Sequence, residues 1–189
     1  QENPKNCIRG NFLDFAENDK KIQKIAYAAS FGNDIWGLNK KETEICARLI
    51  KEFRAVSVRE KSGVELCEKY LNVKAKSVLD PTMLLSKEDY VDLVNKSKTS
   101  SSNGNLFVYI LDKNAGKQKI VSSLADETSL KPFEIMPSVS PLELRKGDDM
   151  EYCVFPPVEQ WLRSFMDAEF IVTDSFHGTV FSIIFEKNR

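Results

Sequence analysis

Histidine is nearly absent from this chain: its 189 residues contain one, His177. Chemistry that needs two histidines from one chain, such as a His-rich zinc site or a two-His iron site, is thereby excluded. Any histidine-borne proton transfer must use His177. Net charge is also lacking, since 27 Lys+Arg against 28 Asp+Glu leave −1. Without a global basic field, a nucleic-acid binder relying on bulk electrostatics is excluded too. Cys7, Cys46, Cys67 and Cys153 form no CxxC pair, so neither a zinc ribbon nor a thioredoxin-type site has support. Cys46 and Cys67 fall on the apolar stripes of two expected helices and read as buried free thiols of a reducing compartment. Residues 1–20 hold no apolar signal segment, and no run approaches the roughly 18 apolar residues of a membrane span. The chain therefore reads as cytoplasmic. It lacks an initiator Met and stops just after an apolar run, at Glu186-Lys187-Asn188-Arg189, so both ends are expected to be missing from a longer protein. No metal cluster is evident: Asp80, Asp112 and Asp174 fall at strand ends, with nothing to show that they converge.

What remains is ordinary for a soluble globular protein, 42% hydrophobic and 29% charged, and too apolar for a disordered one. The length suits one good core or two small ones. Residues 1–20 read as a loop or arm. Ile25–Ala29 reads as a strand, stopped by the turn residues Ser30–Asp34. Asn39 with Glu42 has the capping-box pattern, and Ile45, Leu49 and Phe53 recur at helical spacing behind it. Ala55–Val58 is a strand, Ser62–Glu65 a second capping-box pattern opening a helix, Ser77–Leu79 a strand, and residues 87–94 a short helix. The stretch KSKTSSSNGN, residues 96–105, has no apolar residue and reads as a linker, with a loop tip as the alternative. It separates an expected first domain, 1–95, from a second, 106–189. The second runs strand (106–111), helix (through about 124), strand (133–136), an irregular acidic and Pro-containing crossing (137–156), and an amphipathic helix from Pro157. It ends with a strand (170–173) and an apolar helix (180–185). Strands alternating with helices imply an α/β protein with parallel sheets.

In open parallel α/β sheets, ligands bind beyond the carboxyl ends of the strands. Two such junctions carry unusual residues. The first, Ser57-Val58-Arg59-Glu60, offers Arg59, whose guanidinium suits a carboxylate or phosphate. Its alternative role is a surface ion pair with Glu60 or Glu65. The second, Asp174-Ser175-Phe176-His177-Gly178-Thr179, leads directly into a helix. Unpaired amides and partial positive charge at a helix start suit an anion. Gly178 would let that anion approach the backbone, and Ser175 and Thr179 add hydroxyls. His177 adds a proton-transfer group; its alternative is a partly buried packing residue. Asp174 or Ser175 could instead cap the helix, and for Asp174 that is the expected role. Ser57, Glu60 and Phe176 complete the candidate substrate contacts of the two junctions, and Lys113 and Asn114, after the strand at 106–111, form a weaker phosphate contact. The aromatic residues of the helix at 158–165 are expected in the core.

The ordered segments KIAYAASFGNDIW, AVSVREKSGVELCEKY, SVLDPTMLLSKEDY, LFVYILDKN and IVTDSFHGTVFSIIF resemble the polysaccharide pyruvyl transferase family over most of residues 20–189. The resemblance implies two Rossmann-like domains arranged as in GT-B glycosyltransferases, both incomplete here, with a site in the cleft between them. It implies transfer of the enolpyruvyl part of phosphoenolpyruvate to a saccharide hydroxyl, giving a pyruvate ketal in bacterial surface polysaccharide biosynthesis. Phosphoenolpyruvate would be the donor substrate, with no further cofactor. The acceptor would be a saccharide or a lipid-linked saccharide, the latter bringing the protein to a membrane surface. The S-x-R-[DE] and x-x-H-G segments of the family assign catalysis to Arg59 and His177. Some characterised members carry an Arg two residues before the His; Ser175 stands there in this chain, so one anion-binding charge is absent. Competing readings are a nucleotide-sugar glycosyltransferase, with Asp148, Asp149 and Glu151 as candidate ribose contacts, and a saccharide- or phosphate-binding protein without turnover.

Overall fold

The computed structural model describes residues 5–136 and 155–187, with side chains from Ile8 onward. The chain divides into two compact units, Gln1–Leu84 and Leu85–Arg189. Both are α/β, and each is built on a three-stranded parallel sheet.

The first unit begins with a helix, α1 (Lys5–Asn11), and a 3-10 turn at Asp14–Ala16. The expected unstructured arm is therefore partly helical. The cause is apolar: Ile8 and Phe12 pack against the core of this unit. Strands β1 (Lys24–Ala29), β2 (Phe53–Val58) and β3 (Lys76–Ser77) lie in that order, joined through α2 (Lys40–Leu49) and α3 (Lys61–Leu66). The Asn39–Glu42 capping box is present. Glu42 N donates to Asn39 Oδ1 at 3.0 Å, and Asn39 N to Glu42 Oε2 at 3.4 Å. Cys46 and Cys67 are free thiols in the core, with Ile50, Val58 and Leu71. Burial raises the pKa of both thiols, so they stay protonated and inert at neutral pH.

Two local features depart from expectation. Helix α3 starts at Lys61, so Glu60 rather than Ser62 occupies the cap position, and no side-chain cap forms. The helix then opens into a π turn, Cys67–Leu71, ended by Asn72 at φ 53°. In β1 the ladder to β2 slips between Ala26 and Ala29, where Ala28 adopts φ 51°. A left-handed alanine costs roughly 1–2 kcal/mol. Ser57 offsets it: its Oγ accepts from Ala28 N at 3.0 Å and donates to Ala26 O at 3.1 Å, replacing the missing ladder partner.

The second unit comprises α4 (Lys87–Lys96), β4 (Leu106–Tyr109), α5 (Ala115–Thr128), β5 (Pro132–Phe133), α6 (Val158–Asp167), β6 (Phe170–Thr173) and α7 (Phe176–Ile184). Its sheet order is β5-β4-β6. Central β4 is buried on both faces, as a parallel strand covered by helices must be. Phe107 faces an aromatic core with Phe165, Phe181, Phe185 and Tyr90, while Leu106, Val108 and Ile110 face Val121 and Leu124 of α5. Phe107 and Phe165 meet edge to face, centroids 5.1 Å apart at 89°. Each fully buried Phe contributes about 2–3 kcal/mol from its apolar area. Trp161 packs here as well, as the helical spacing of its neighbours implied.

The division between units falls before α4, not at the KSKTSSSNGN stretch. Tyr90 and Val94 of α4 are buried in the aromatic core of the second unit, which assigns that helix to it. The polar stretch itself is tied down along α6. Gln160 Nε2 donates to Ser100 O at 3.0 Å, Arg163 Nη2 to Ser101 Oγ at 3.0 Å, and Ser102 N to Asp167 Oδ2 at 2.7 Å. Gly104 is required there, because a Cβ would stand 2.4 Å from Lys131 O. The expected irregular crossing at 137–156, with Asp148, Asp149 and Glu151, lies almost wholly outside the described residues. Among the described residues no helix is long and apolar enough to cross a membrane.

Candidate functional site

In the first unit the carboxyl ends of all three strands meet in one polar cluster. Parallel pairing puts Val58 beside Ser77, and Val78 N donates to Val58 O at 2.9 Å. The residues just beyond each strand therefore converge. Arg59 N donates to Ala29 O at 3.1 Å. The Arg59 guanidinium donates through Nη1 to Asp80 Oδ2 at 2.6 Å and through Nε to Glu60 Oε1 at 3.1 Å. Glu60 Oε1 also accepts from Ser30 Oγ at 2.7 Å. Asp80 is 4% exposed, and its second oxygen accepts from Thr82 N and Thr82 Oγ1 at 3.0 and 2.7 Å. Burial works against the charge of Arg59, but Asp80 and Glu60 outweigh it, so its pKa is held above the ordinary value. The guanidinium is thus permanently charged and fixed in direction. Glu60 Oε2 is buried and has no hydrogen-bond partner among the described residues.

In the second unit the same ends of β4, β5 and β6 meet. Asp174 accepts from Leu111 N at 2.7 Å and Asp112 N at 3.1 Å, both just past β4, and from Lys117 Nζ of α5 at 2.7 Å. Burial alone would raise the Asp174 pKa; Lys117 and the two amides outweigh it and hold it below the ordinary carboxylate value. Asp174 is therefore a clamp between two loops and not the helix cap. Ser175 is the cap, accepting from Gly178 N at 3.3 Å.

Helix α7 starts at Phe176, four residues earlier than the apolar run implied, so His177 and Gly178 lie inside its first turn. Gly178 has a reason other than ligand approach. A Cβ there would stand 2.2 Å from Thr173 Oγ1 and 3.0 Å from Thr173 Cβ. The face expected to admit an anion is filled by the end of β6. Thr173 Oγ1 itself donates to Tyr109 O at 2.8 Å and accepts from Ser175 N at 3.1 Å. Thr179 Oγ1 donates back to Ser175 O at 3.2 Å. Ser175, Gly178 and Thr179 thus build the turn. Phe176, 48% exposed, and half-buried His177 are the ring side chains it carries. Their rings meet edge to face, centroids 5.2 Å apart at 83°.

The remaining expected contacts are also engaged locally. Ser57 repairs the slipped ladder. Lys113 pairs with Glu134 after β5, and Asn114 caps α5 by accepting from Lys117 N at 3.0 Å. Sequence reasoning weighed Asp80 only as a metal ligand and missed Lys117; the two hold Arg59 and Asp174 in place. The signal for Asp80 was available in part, as a charged residue directly before Pro81 at a strand end. A cavity of about 420 Å³ in the first unit, walled by Phe12, Phe31, Trp36 and Val56 among others, carries no charged side chain. Among the described residues no group of three or more His, Cys, Asp and Glu side chains could hold a metal ion.

No curated protein and no solved structure matches the chain. The sequence model of the family described as polysaccharide pyruvyl transferase matches residues 5–188, nearly the whole chain. A match over nearly the whole chain shows the family: the chain belongs to the polysaccharide pyruvyl transferase family.

Proposed function

We propose that the protein moves the pyruvyl group of phosphoenolpyruvate onto saccharide hydroxyls, forming a pyruvate ketal and releasing phosphate, in the assembly of a bacterial surface polysaccharide. The two units are taken as the Rossmann-like halves of a GT-B-like enzyme. The acceptor is a saccharide, free or lipid-linked. The observation that supports this most is the position of the one histidine, in the first helical turn after the carboxyl end of β6, within a chain of this family.

In this reaction His177 donates a proton to C3, the methylene carbon of the donor. Positive charge develops at C2, and a saccharide hydroxyl attacks there. Departure of phosphate restores an oxocarbenium-like centre, and a second hydroxyl closes the ketal. One hydroxyl proton ends on C3 and the other on phosphate, so the imidazole finishes as it began. Arg59 holds the carboxylate or phosphate of the donor, aimed by Asp80 and Glu60. The start of α7 adds partial positive charge toward the leaving phosphate. Glu60 Oε2 accepts from a substrate hydroxyl, and Phe176 shields the imidazole from water. Ser57, Ser175, Gly178, Thr179, Lys113 and Asn114 shape the two junctions.

The test is phosphate release from phosphoenolpyruvate in the presence of a panel of saccharide acceptors. His177→Ala is expected to lower turnover by at least about a hundredfold, and Arg59→Ala to weaken donor binding chiefly. Full activity in His177→Ala would overturn the assignment of the proton-transfer group.

A further inference from the structure

One concave surface of the first unit differs from both junctions. It is a cleft of about 440 Å³ walled by Asp34, Trp36, Ser62, Glu65, Lys69 and Tyr70. The aromatic wall is rigid. Trp36 and Tyr70 stack with centroids 4.8 Å apart and planes 4° from parallel, and Trp36 Nε1 donates to Thr43 Oγ1 at 2.8 Å. Tyr70 is carried by the π turn Cys67–Leu71. Such turns are rare and concentrate at functional sites, because they re-aim side chains that a regular helix would point elsewhere.

The polar groups around this wall are not engaged. At the sheet ends Arg59, Asp80, Asp174 and Lys117 are all tied to neighbours. By contrast, Asp34, Ser62, Glu65 and the Tyr70 hydroxyl make no side-chain hydrogen bond or ion pair with any described residue. Lys69 rests over the Tyr70 ring at 5.1 Å from its centroid. Two carboxylates that only accept, an ammonium that only donates and two hydroxyls that do both match a polyol, whose hydroxyls also do both. The positive ring edges of Trp36 and Tyr70 suit the hydroxyl oxygens of a sugar. The volume falls within the usual range for small ligands and suits a mono- or disaccharide. Other ligand classes fit less well. Asp34 and Glu65 repel an anion such as the donor, and a nucleobase needs an open aromatic face. Trp36 covers a face of Tyr70, and Lys69 Nζ also stands over that ring. Ser62 and Glu65 sit on α3, which begins two residues after Arg59, so the cleft adjoins the donor-holding junction along one helix.

Resting on the transferase function proposed above, we infer that this cleft is the acceptor subsite and binds a neutral pyranose saccharide by its hydroxyls, with Asp34 and Glu65 accepting and Lys69 donating. The test titrates the full chain, without donor, with methyl glucoside, methyl galactoside, methyl mannoside and their disaccharides, followed by calorimetry. At least one is expected to bind saturably. Glu65→Gln and Asp34→Asn, at exposed positions where the fold is checked by an unchanged unfolding midpoint, should each weaken that binding about tenfold, while phosphoenolpyruvate binding is unchanged. In the phosphate-release assay the same variants should raise the acceptor KM and leave the donor KM alone. Saccharide binding that is unaltered in both variants, or absent for the whole panel, overturns the inference. Saccharide binding that depends on Glu65 and Asp34 without any phosphate release would instead refute the pyruvyl-transfer reading and leave the subsite standing. Phosphate release with an unaltered acceptor KM would do the reverse.

Discussion

Replacing Gly178 by Ala pits two physical effects of opposite sign against each other. Gly178 is the third residue of α7, where helix propensity alone favours Ala by up to about 1 kcal/mol. Against this, the added methyl would stand 2.2 Å from Thr173 Oγ1 and 3.0 Å from Thr173 Cβ. Comfortable carbon contacts begin near 3.5 Å, so strand and helix must separate by roughly an ångström or Thr173 must rotate. Rotation breaks the bonds that Thr173 Oγ1 makes with Tyr109 O and Ser175 N, each contributing about 1 kcal/mol. Separation is overpacking, which typically costs about 1–3 kcal/mol. After the propensity gain, Gly178→Ala should still destabilise by about 1–3 kcal/mol, read as a lower denaturant midpoint at constant slope. Thr173→Ala removes the hydroxyl and one methyl that the new Cβ meets. The double variant should therefore be less destabilised than the sum of the two single changes, by about 1 kcal/mol. A Gly178→Ala protein at least as stable as the parent, or strict additivity with Thr173→Ala, would refute the close-packing account. If stability held and donor affinity alone fell, Gly178 would serve ligand approach after all.

Two further outcomes follow from the ion pairs. Asp80→Asn keeps the shape but removes the charge that faces the Arg59 guanidinium at 2.6 Å. Stability should fall by about 2 kcal/mol in denaturant titrations, with Asp80→Ala costing more because it also removes the oxygen that accepts from Thr82 N and Oγ1. The pKa of Asp174 is depressed on folding, so its contribution is fully present above the unfolded value, about 3.9, and is lost as pH falls through the lower folded value. The stability gap between the parent and Asp174→Asn should therefore be constant near neutral pH and close progressively below about pH 4; a gap that persisted at lower pH would remove the Lys117–Asp174 pairing as its cause.

What could be read from the sequence was local or strongly apolar. Leu106–Leu111 announces a central strand because a parallel strand covered on both faces must be apolar throughout, and Asn39 with Glu42 announces a helix start because the capping box closes within four residues. The candidate residues Arg59 and His177 stood out as polar side chains at strand ends, and the structure does put each just past the carboxyl end of a strand. The start of α7 was not, since Ser175, Gly178 and Thr179 are turn formers by composition and become helical only because Ser175 caps and Thr173 packs. Helix α3 misled for the opposite reason. The Ser62–Glu65 pattern suits a capping box, yet Glu60 takes the cap position, with its carboxylate held by Arg59 and Ser30. The Arg59–Asp80 pair required knowing that β2 and β3 are neighbours, and the Trp36–Tyr70 stack required the π turn. Neither is a property of any short window of sequence.

The stretch from Ser100 to Gly104 has the composition of a spacer and the bonding of a splint. A spacer carries information only in its approximate reach, so residues can be added or removed and the ends still meet. Here each position has an address: a carbonyl for Gln160, a hydroxyl for Arg163, an amide for Asp167, a side-chain oxygen for Lys131 Nζ, and a bare backbone against Lys131 O. One inserted residue would put every subsequent group out of register with α6 and shift the entry of β4 into the sheet. In this protein low sequence complexity coexists with fixed length, and it is the count of residues, more than their chemical character, that the fold reads.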